Sequence, residues 1–205
     1  MRVAGIVLAG GRSSRFGSPK LSAELEGRSL LDHAIEAVAG LATETLVVLS
    51  PDAPAPTLPP NVRIVRDPEA FGGPLIGLAA ALEVTTALVA VVVGGDMPRV
   101  RPEVLELMLA ELRHPSRPGA VVLADSSGRR PLPLVLGISA RAPLATVLQS
   151  GERSLRGFLD RLHVLVVQPE EWRRLDPEGD TLVDVDRPED LERVRASDPG
   201  ERGLP

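Results

Sequence analysis

Cysteine is absent from this chain, and aromatic residues make up only 2% of its 205 residues. Without cysteine, disulfides, thiolate metal sites and cysteine nucleophiles are excluded, and the composition fits a cytoplasmic protein. So few aromatic side chains leave almost no base-stacking surface for single-stranded nucleic acid. The net charge of −5 offers no general attraction to nucleic acid or anionic membranes. No apolar run approaches the roughly 18 residues of a transmembrane helix. We therefore expect a cytoplasmic protein that acts on neither nucleic acid nor membranes, and any polyanionic ligand needs a local cluster of cations.

Lysine is also nearly absent. Lys20 is the single lysine among 23 basic residues, and all the others are arginines. A chain so biased toward arginine has arginine wherever a planar guanidinium serves. The lysine at position 20 therefore indicates a need for a compact ammonium group.

Apolar strand-like runs alternate with amphipathic helical stretches along the whole chain. Strands are predicted at residues 3–8, 45–49, 62–65, 88–93, 120–124, 132–136, 164–167 and 181–185. Helices are predicted at residues 29–41, 74–84, 102–113, 143–149, 154–162 and 188–196. The first helix opens with Ser29 and Asp32 in a capping box. This alternation predicts a Rossmann-like α/β fold, a three-layer sandwich with a mostly parallel sheet. We expect one domain over residues 1–196 and a disordered tail over residues 197–205.

Polar residues follow three of the predicted strands where each strand ends. A glycine-rich loop follows the first strand, Asp67 follows the third, and Asp96 follows the fourth. Ligands of open α/β sheets bind beyond the carboxyl ends of the strands. The sequence therefore predicts that these three features meet at one edge of the sheet.

The glycine-rich loop is Leu8-Ala9-Gly10-Gly11-Arg12-Ser13-Ser14-Arg15-Phe16-Gly17-Ser18-Pro19-Lys20. Its glycines let the backbone turn sharply and approach a ligand, and its N–H groups and three cations favour a phosphate. The spacing matches neither the Walker P-loop nor the Rossmann Gly-x-Gly-x-x-Gly motif. An ordinary strand-to-loop turn is the alternative interpretation.

The loop resembles the signature of the molybdenum cofactor guanylyltransferase family, within the nucleotidyltransferases of GT-A-like fold. Three further motifs resemble the same family in the same order: Arg66-Asp67 with Phe71-Gly72-Gly73-Pro74-Leu75-Ile76-Gly77, then Gly95-Asp96-Met97-Pro98, then Asp184-Val185-Asp186-Arg187-Pro188-Glu189-Asp190-Leu191. Gly10 is similar to the guanylyl enzymes, since cytidylyl relatives more often have alanine there. Two positions depart from the pattern: Phe16 replaces methionine, and the turn Ser50-Pro51-Asp52 replaces a Ser-Ala-Asn-like turn.

The resemblance implies a role for each motif residue. Leu8, Ala9, Gly10 and Gly11 would hold the nucleotide, and Arg15 and Lys20 would neutralise its β- and γ-phosphates. Asp96 would hold Mg²⁺, a cation that binds one or two carboxylates together with phosphate oxygens. For three residues a structural role stays open. Asp96 alternatively caps the helix that begins at Pro102 or forms a turn. Asp186 is a second metal contact or caps the last helix, and Asp67 accepts hydrogen bonds from guanine or ribose or forms a turn before Pro68.

The implied reaction moves GMP from GTP to the phosphate of molybdenum-bound molybdopterin and releases pyrophosphate. No general base is expected, because a phosphomonoester is already ionised at neutral pH. The acceptor comes from the resemblance, as do molybdoenzyme chaperones or other cofactor-synthesis proteins as further partners. Alternatives are a cytidylyltransferase of the same cofactor, a nucleotidyltransferase for another phosphorylated small molecule, and a non-catalytic nucleotide- or cofactor-binding module. The stretch Ser126-Ser127-Gly128-Arg129-Arg130 either closes over the second substrate or forms a solvated hairpin tip.

Overall fold

The computed structural model describes residues 2–10, 20–69, 72–116 and 118–196. Its strands are β1 (Val3–Leu8), β2 (Glu24–Leu25), β3 (Arg28–Ser29), β4 (Glu44–Leu49), β5 (Val62–Arg66), β6 (Val89–Gly94), β7 (Ala120–Asp125), β8 (Gly128–Gly137) and β9 (Val164–Val167). Its α-helices are α1 (Leu30–Ala39), α2 (Pro74–Val84), α3 (Pro102–Glu111), α4 (Arg141–Gln149), α5 (Leu155–Leu159), α6 (Pro169–Trp172) and α7 (Pro188–Ala196). The predicted tail, residues 197–205, lies outside the described residues, and the single domain over residues 1–196 stays a prediction.

The central sheet has the strand order β5-β4-β1-β6-β8-β7-β9. Its pairs are parallel except those of β8, which runs antiparallel to both β6 and β7. Side chains alternate across each strand, so Val7 packs with α1 and α3 on one face while Ile6 packs with α2, α4 and α5 on the other. The prediction of a three-layer, mostly parallel α/β sandwich is confirmed.

Helix α1 shows how local sequence fixes an element boundary. The Ser29 hydroxyl accepts a hydrogen bond from the Asp32 N–H at 3.1 Å, and the Asp32 carboxylate accepts one from the Ser29 N–H at 3.3 Å. This is the predicted capping box, which satisfies two backbone donors at the start of the helix.

A small third core lies beside the sheet. Leu25 and Leu30, at the β2–β3 hairpin and the start of α1, pack against Val185 and against Leu191 and Val194 of α7. The hairpin follows the glycine-rich loop in sequence, and Val185 lies between Asp184 and Asp186. This core therefore links the exit of the loop to the C-terminal motif.

The predicted strand at residues 181–185 is wrong. The chain forms a 3-10 helix, Asp180–Leu182, followed by an extended segment without strand pairing. The cause is the buried Asp176 carboxylate, which accepts hydrogen bonds from the N–H groups of Gly179, Asp180 and Thr181 and so curls the backbone. Burial of Thr181 and Leu182 against the core produced a strand-like pattern without a strand partner.

Other elements were missed or longer than expected. The β2–β3 hairpin and α6 were not predicted, and β8 begins four residues before the predicted start at residue 132. Across the described residues, no helix combines the length and the apolar character needed to span a membrane.

Candidate active site

A cavity of about 470 Å³ opens at the carboxyl edge of β1, β4 and β6. Its size falls within the range of small-molecule sites. The cavity is lined by Leu8, Gly10, Val48, Asp67, Gly73, Pro74, Gly77, Gly94, Asp96 and Leu132. Four predicted site residues therefore lie together at this edge of the sheet, as expected from their positions at strand ends: Leu8, Gly10, Asp67 and Asp96.

The end of β1 forms the floor of the cavity. Ala9 donates its N–H to the Val48 carbonyl at 2.8 Å and is 7% exposed, so it lies beneath the lining. Gly10 reaches the lining, and its carbonyl accepts a hydrogen bond from the Ser50 hydroxyl at 3.0 Å. The first residues of the glycine-rich loop are therefore tied to the turn after β4.

That turn is held from its other side by an arginine. Arg66, the last residue of β5, donates from Nη1 to the carbonyls of Ser50 at 3.0 Å and Ala53 at 2.6 Å. The turn that departs from the family pattern, Ser50-Pro51-Asp52, is thus fixed at both ends, with exposed Asp52 between them.

Asp67 follows β5 and is 7% exposed. Its Oδ1 accepts a hydrogen bond from the Glu69 N–H at 3.0 Å, which is the turn-forming role expected before Pro68. Its Oδ2 lies toward Gly77, where an added Cβ would be 3.4 Å away. One carboxylate oxygen therefore shapes the turn, and the other remains available to a ligand in the cavity.

The first turn of α2 forms the wall beside Asp67. Pro74 occupies the start of the helix, and Gly73 before it has a φ of 96° that favours glycine. Gly77 lets the helix approach β4, because a Cβ there would lie 3.0 Å from Val48 Cγ1. The positive end of the helix dipole faces the cavity. Sequence reasoning quoted these residues only as part of a motif and missed them as cavity lining.

Asp96 lies just beyond β6, on the opposite side of the cavity from Asp67. Its Oδ1 folds back against Gly94, where any side chain would collide with it. Its carbonyl accepts a hydrogen bond from the Val185 N–H at 2.9 Å. This bond brings the C-terminal motif, with Asp184 and Asp186, to the metal candidate.

Negative charge is concentrated at this point. Partial burial raises the pKa of Asp184 above its usual value, and the neighbouring carboxylates Asp186 and Asp96 raise it further. At the start of α7, the Asp190 carboxylate accepts hydrogen bonds from the N–H groups of Asp186 and Arg187 at 3.0 and 2.8 Å. Among the described residues, no group of three carboxylate, histidine or cysteine side chains forms a complete metal cage.

The 126–130 stretch is the tip of the β7–β8 hairpin, and its arginines are paired. Arg129 contacts Asp160 at 2.6 Å, while Arg130 donates to Asp125 at 2.9 Å and lies 3.9 Å from Asp184. Hydrogen bonding to Ser127, together with Arg130, holds the pKa of Asp125 below its usual value. The stretch forms a hairpin tip, and one of its cations, Arg130, lies near Asp184.

Residues 8–10 and Lys20 are the parts of the predicted phosphate loop that fall within the described residues. Gly11, Arg12 and Arg15 lie outside the described residues, as does Phe71 of the second motif. Lys20 opens a short 3-10 helix, Lys20–Ser22. The phosphate contacts expected of Arg15 and Lys20 stay predictions.

Comparison with known proteins gives consistent matches over nearly the whole chain. The model of the MobA-like NTP transferase domain matches residues 5–166. A probable molybdenum cofactor guanylyltransferase of Chloroflexus aggregans is 34% identical over 203 residues, covering 96% of this chain and 95% of that one. A probable molybdenum cofactor guanylyltransferase of Opitutus terrae is 30% identical over 204 residues, covering 94% and 95% of the two chains. The crystal structure of molybdopterin-guanine dinucleotide biosynthesis protein A from Archaeoglobus fulgidus superposes with a TM-score of 0.76 at 27% identity, covering 96% of this chain and 97% of that one.

Proposed function

Since this chain belongs to the MobA-like NTP transferase family of molybdenum cofactor guanylyltransferases, we propose that it transfers GMP from GTP to the phosphate of molybdenum-bound molybdopterin. The products are molybdopterin guanine dinucleotide and pyrophosphate. The observation that carries the proposal is one cavity with Asp67 on one side and Asp96 on the other. A nucleotide spanning it has its base near Asp67 and its phosphates near Asp96.

Recognition of guanine rests on Asp67. Guanine presents two donors, N1–H and N2–H₂, on one edge, and the Asp67 Oδ2 is an ionised acceptor facing the cavity. The ribose hydroxyls are the other donors that this oxygen can serve. Arg66 and Ser50 support this side by fixing the turn after β4 and the carbonyl of Gly10.

Nucleotidyltransferases of this family use a divalent metal ion, and we assign Mg²⁺ to Asp96, with Asp186 as a second ligand. The donor set fits, because carboxylate oxygens suit this hard cation, and the hydrogen bond from the Val185 N–H to the Asp96 carbonyl brings Asp186 close to Asp96. An incomplete protein cage also fits, since Mg²⁺ takes part of its shell from phosphate oxygens and water. When bound, the ion supplies charge neutralisation at the α-phosphate.

The protein's task in the transfer is alignment and charge neutralisation. An oxygen of the acceptor phosphate attacks the α-phosphorus, a new P–O bond forms, and the bond from the α-phosphorus to the bridging oxygen of pyrophosphate breaks. The attacking oxygen carries no proton at neutral pH, so no side chain has to remove one. Arg15 and Lys20 neutralise the departing β- and γ-phosphates in this scheme.

Pyrophosphate release from purified protein with GTP, Mg²⁺ and molybdenum-loaded molybdopterin tests the proposal. Lys20→Ala and Asp96→Ala are expected to abolish release while circular dichroism and Tm stay near the wild-type values. Asp160→Ala is the matched control, because this exposed carboxylate pairs with Arg129 away from the cavity. Near-wild-type turnover in either test variant contradicts the mechanism.

The same assay separates the alternatives. A titration with GTP and CTP decides the nucleotide, and a preference for CTP identifies a cytidylyltransferase. No pyrophosphate release from wild-type protein with either nucleotide identifies a binding module. Cytoplasmic location and docking to molybdoenzyme chaperones or other cofactor-synthesis proteins belong to the same proposal and need separate localisation and pull-down experiments.

A further inference from the structure

The β7–β8 hairpin carries a cation toward the metal candidate. In the antiparallel pairing of β6 with β8, Val92 lies opposite Leu134 and Val91 opposite Val135. Leu132 of the same strand lines the cavity together with Gly94 and Asp96. Arg130, two residues before Leu132, lies 3.9 Å from Asp184.

Arg130 is held in place by a carboxylate that is itself held. The Asp125 Oδ1 accepts hydrogen bonds from the N–H and hydroxyl of Ser127, and its Oδ2 accepts one from Arg130 Nη1 at 2.9 Å. The second guanidinium nitrogen, Nη2, points toward Asp184, but the 3.9 Å separation is too long for a hydrogen bond. Nη1 is therefore anchored by Asp125, and Nη2 faces Asp184.

Negatively charged groups lie close to Arg130. Asp184 and Asp186 flank Val185, whose N–H donates to the Asp96 carbonyl at 2.9 Å, so three aspartates lie near one another. A phosphomonoester acceptor brings further negative charge to the same place, where it meets the α-phosphate. A guanidinium has a planar set of donors that matches phosphate oxygens.

On these grounds we propose that Arg130 binds the phosphate of the acceptor substrate through Nη2, with Asp125 orienting its guanidinium. This inference rests on the proposed function and deepens it, because it names the residue that receives the second substrate. The nucleotide enters between Asp67 and Asp96, and the acceptor approaches Asp96 from the β8 side.

The alternative for Arg130 is a structural one, in which it only orients Asp184. The two roles differ in what a substitution changes. Loss of an acceptor contact raises the KM for molybdenum-loaded molybdopterin, whereas misplacement of Asp184 changes the Mg²⁺ concentration at half-maximal rate.

The experiment measures steady-state kinetics of Arg130→Ala, Arg130→Lys and Arg129→Ala with GTP, Mg²⁺ and molybdenum-loaded molybdopterin. Arg129 is the matched control, since it is the adjacent arginine on the same hairpin and pairs with exposed Asp160. Arg130→Ala is expected to raise the acceptor KM about tenfold to a hundredfold, the range for a lost charge-assisted hydrogen bond. The KM for GTP, the Mg²⁺ dependence and kcat stay near wild type, and Arg130→Lys gives an intermediate acceptor KM. Calorimetric titration of the acceptor in the absence of GTP shows the same loss of affinity.

Three outcomes overturn the inference: an unchanged acceptor KM in Arg130→Ala, a shift confined to Mg²⁺ dependence, or an equal effect of Arg129→Ala. The first two assign Arg130 a structural role or none, and the third indicates a distorted hairpin. If wild-type protein transfers no GMP at all, the proposed function fails, and the inference fails with it. If the wild type is active and Arg130→Ala has the same acceptor KM, only the inference about Arg130 fails.

Discussion

Replacing Asp67 with asparagine isolates the one oxygen that faces the cavity. The Glu69 N–H, 3.0 Å from Oδ1, requires an acceptor, so the asparagine carbonyl takes the Oδ1 position and preserves the turn. The amide NH₂ then occupies the Oδ2 position beside Gly77. A side chain that accepted hydrogen bonds from guanine becomes one that offers donors to it.

The size of the effect follows from the number of oxygens available. Because Oδ1 is already engaged, a single charged acceptor faces the base, and losing one such bond costs about 1.5–3 kcal/mol. This corresponds to a rise of roughly tenfold to 150-fold in the KM for GTP. Asp67→Ala is expected to cost more, since it also leaves the Glu69 N–H without its acceptor.

Three nucleotides separate base recognition from ribose recognition. Xanthosine triphosphate has a carbonyl where guanine has its 2-amino group, so Asp67→Asn is expected to gain activity with it while losing activity with GTP. Inosine triphosphate lacks the 2-amino group and is expected to lose less than GTP. Equal losses with all three nucleotides indicate contact with the ribose, and an unchanged KM for GTP refutes the role of Asp67.

Two further variants test the support of the site and of the fold. Ser50→Ala removes the hydroxyl that donates to the Gly10 carbonyl and is expected to raise the KM for GTP severalfold. The unfolding free energy, measured by urea titration, is expected to fall by about 0.5–1.5 kcal/mol. A KM for GTP equal to that of wild type contradicts the link between this turn and the cavity. Asp176→Ala leaves the N–H groups of Asp180 and Thr181 without their acceptor in a site only 1% exposed, whereas the Gly179 N–H keeps the Asp176 carbonyl. The variant is expected to destabilise the protein by at least about 2 kcal/mol, which calorimetry detects as a fall of several degrees in Tm. An unchanged Tm means that this carboxylate does not hold the 179–181 turn.

The sequence predicted that Gly10, Asp67 and Asp96 lie together because each of them follows a parallel strand. Residues that end parallel neighbouring strands meet at one edge whatever the details of packing, and Gly10, Asp67 and Asp96 do so here. The start of α1 could be predicted because its signal, the Ser29–Asp32 capping box, lies within four residues of sequence. What was missed depends on side-chain contacts that a hydrophobic pattern does not report, such as the Asp176 carboxylate that curls the backbone where a strand was predicted at residues 181–185.

For the 126–130 stretch the sequence left two roles open, for a different physical reason. An apolar run such as Leu132–Leu136 reports burial but not strand direction, because a buried strand has the same pattern whichever way it runs. Antiparallel β8 brings its beginning, and hence Arg130, to the edge where Asp96 lies. A parallel strand would have brought Arg141 there instead, but Arg141 lies at the other edge and donates to the carbonyls of Thr85 and Ala87 before β6. The direction of one strand thus decides which arginine lies at the edge of the sheet that carries Asp96.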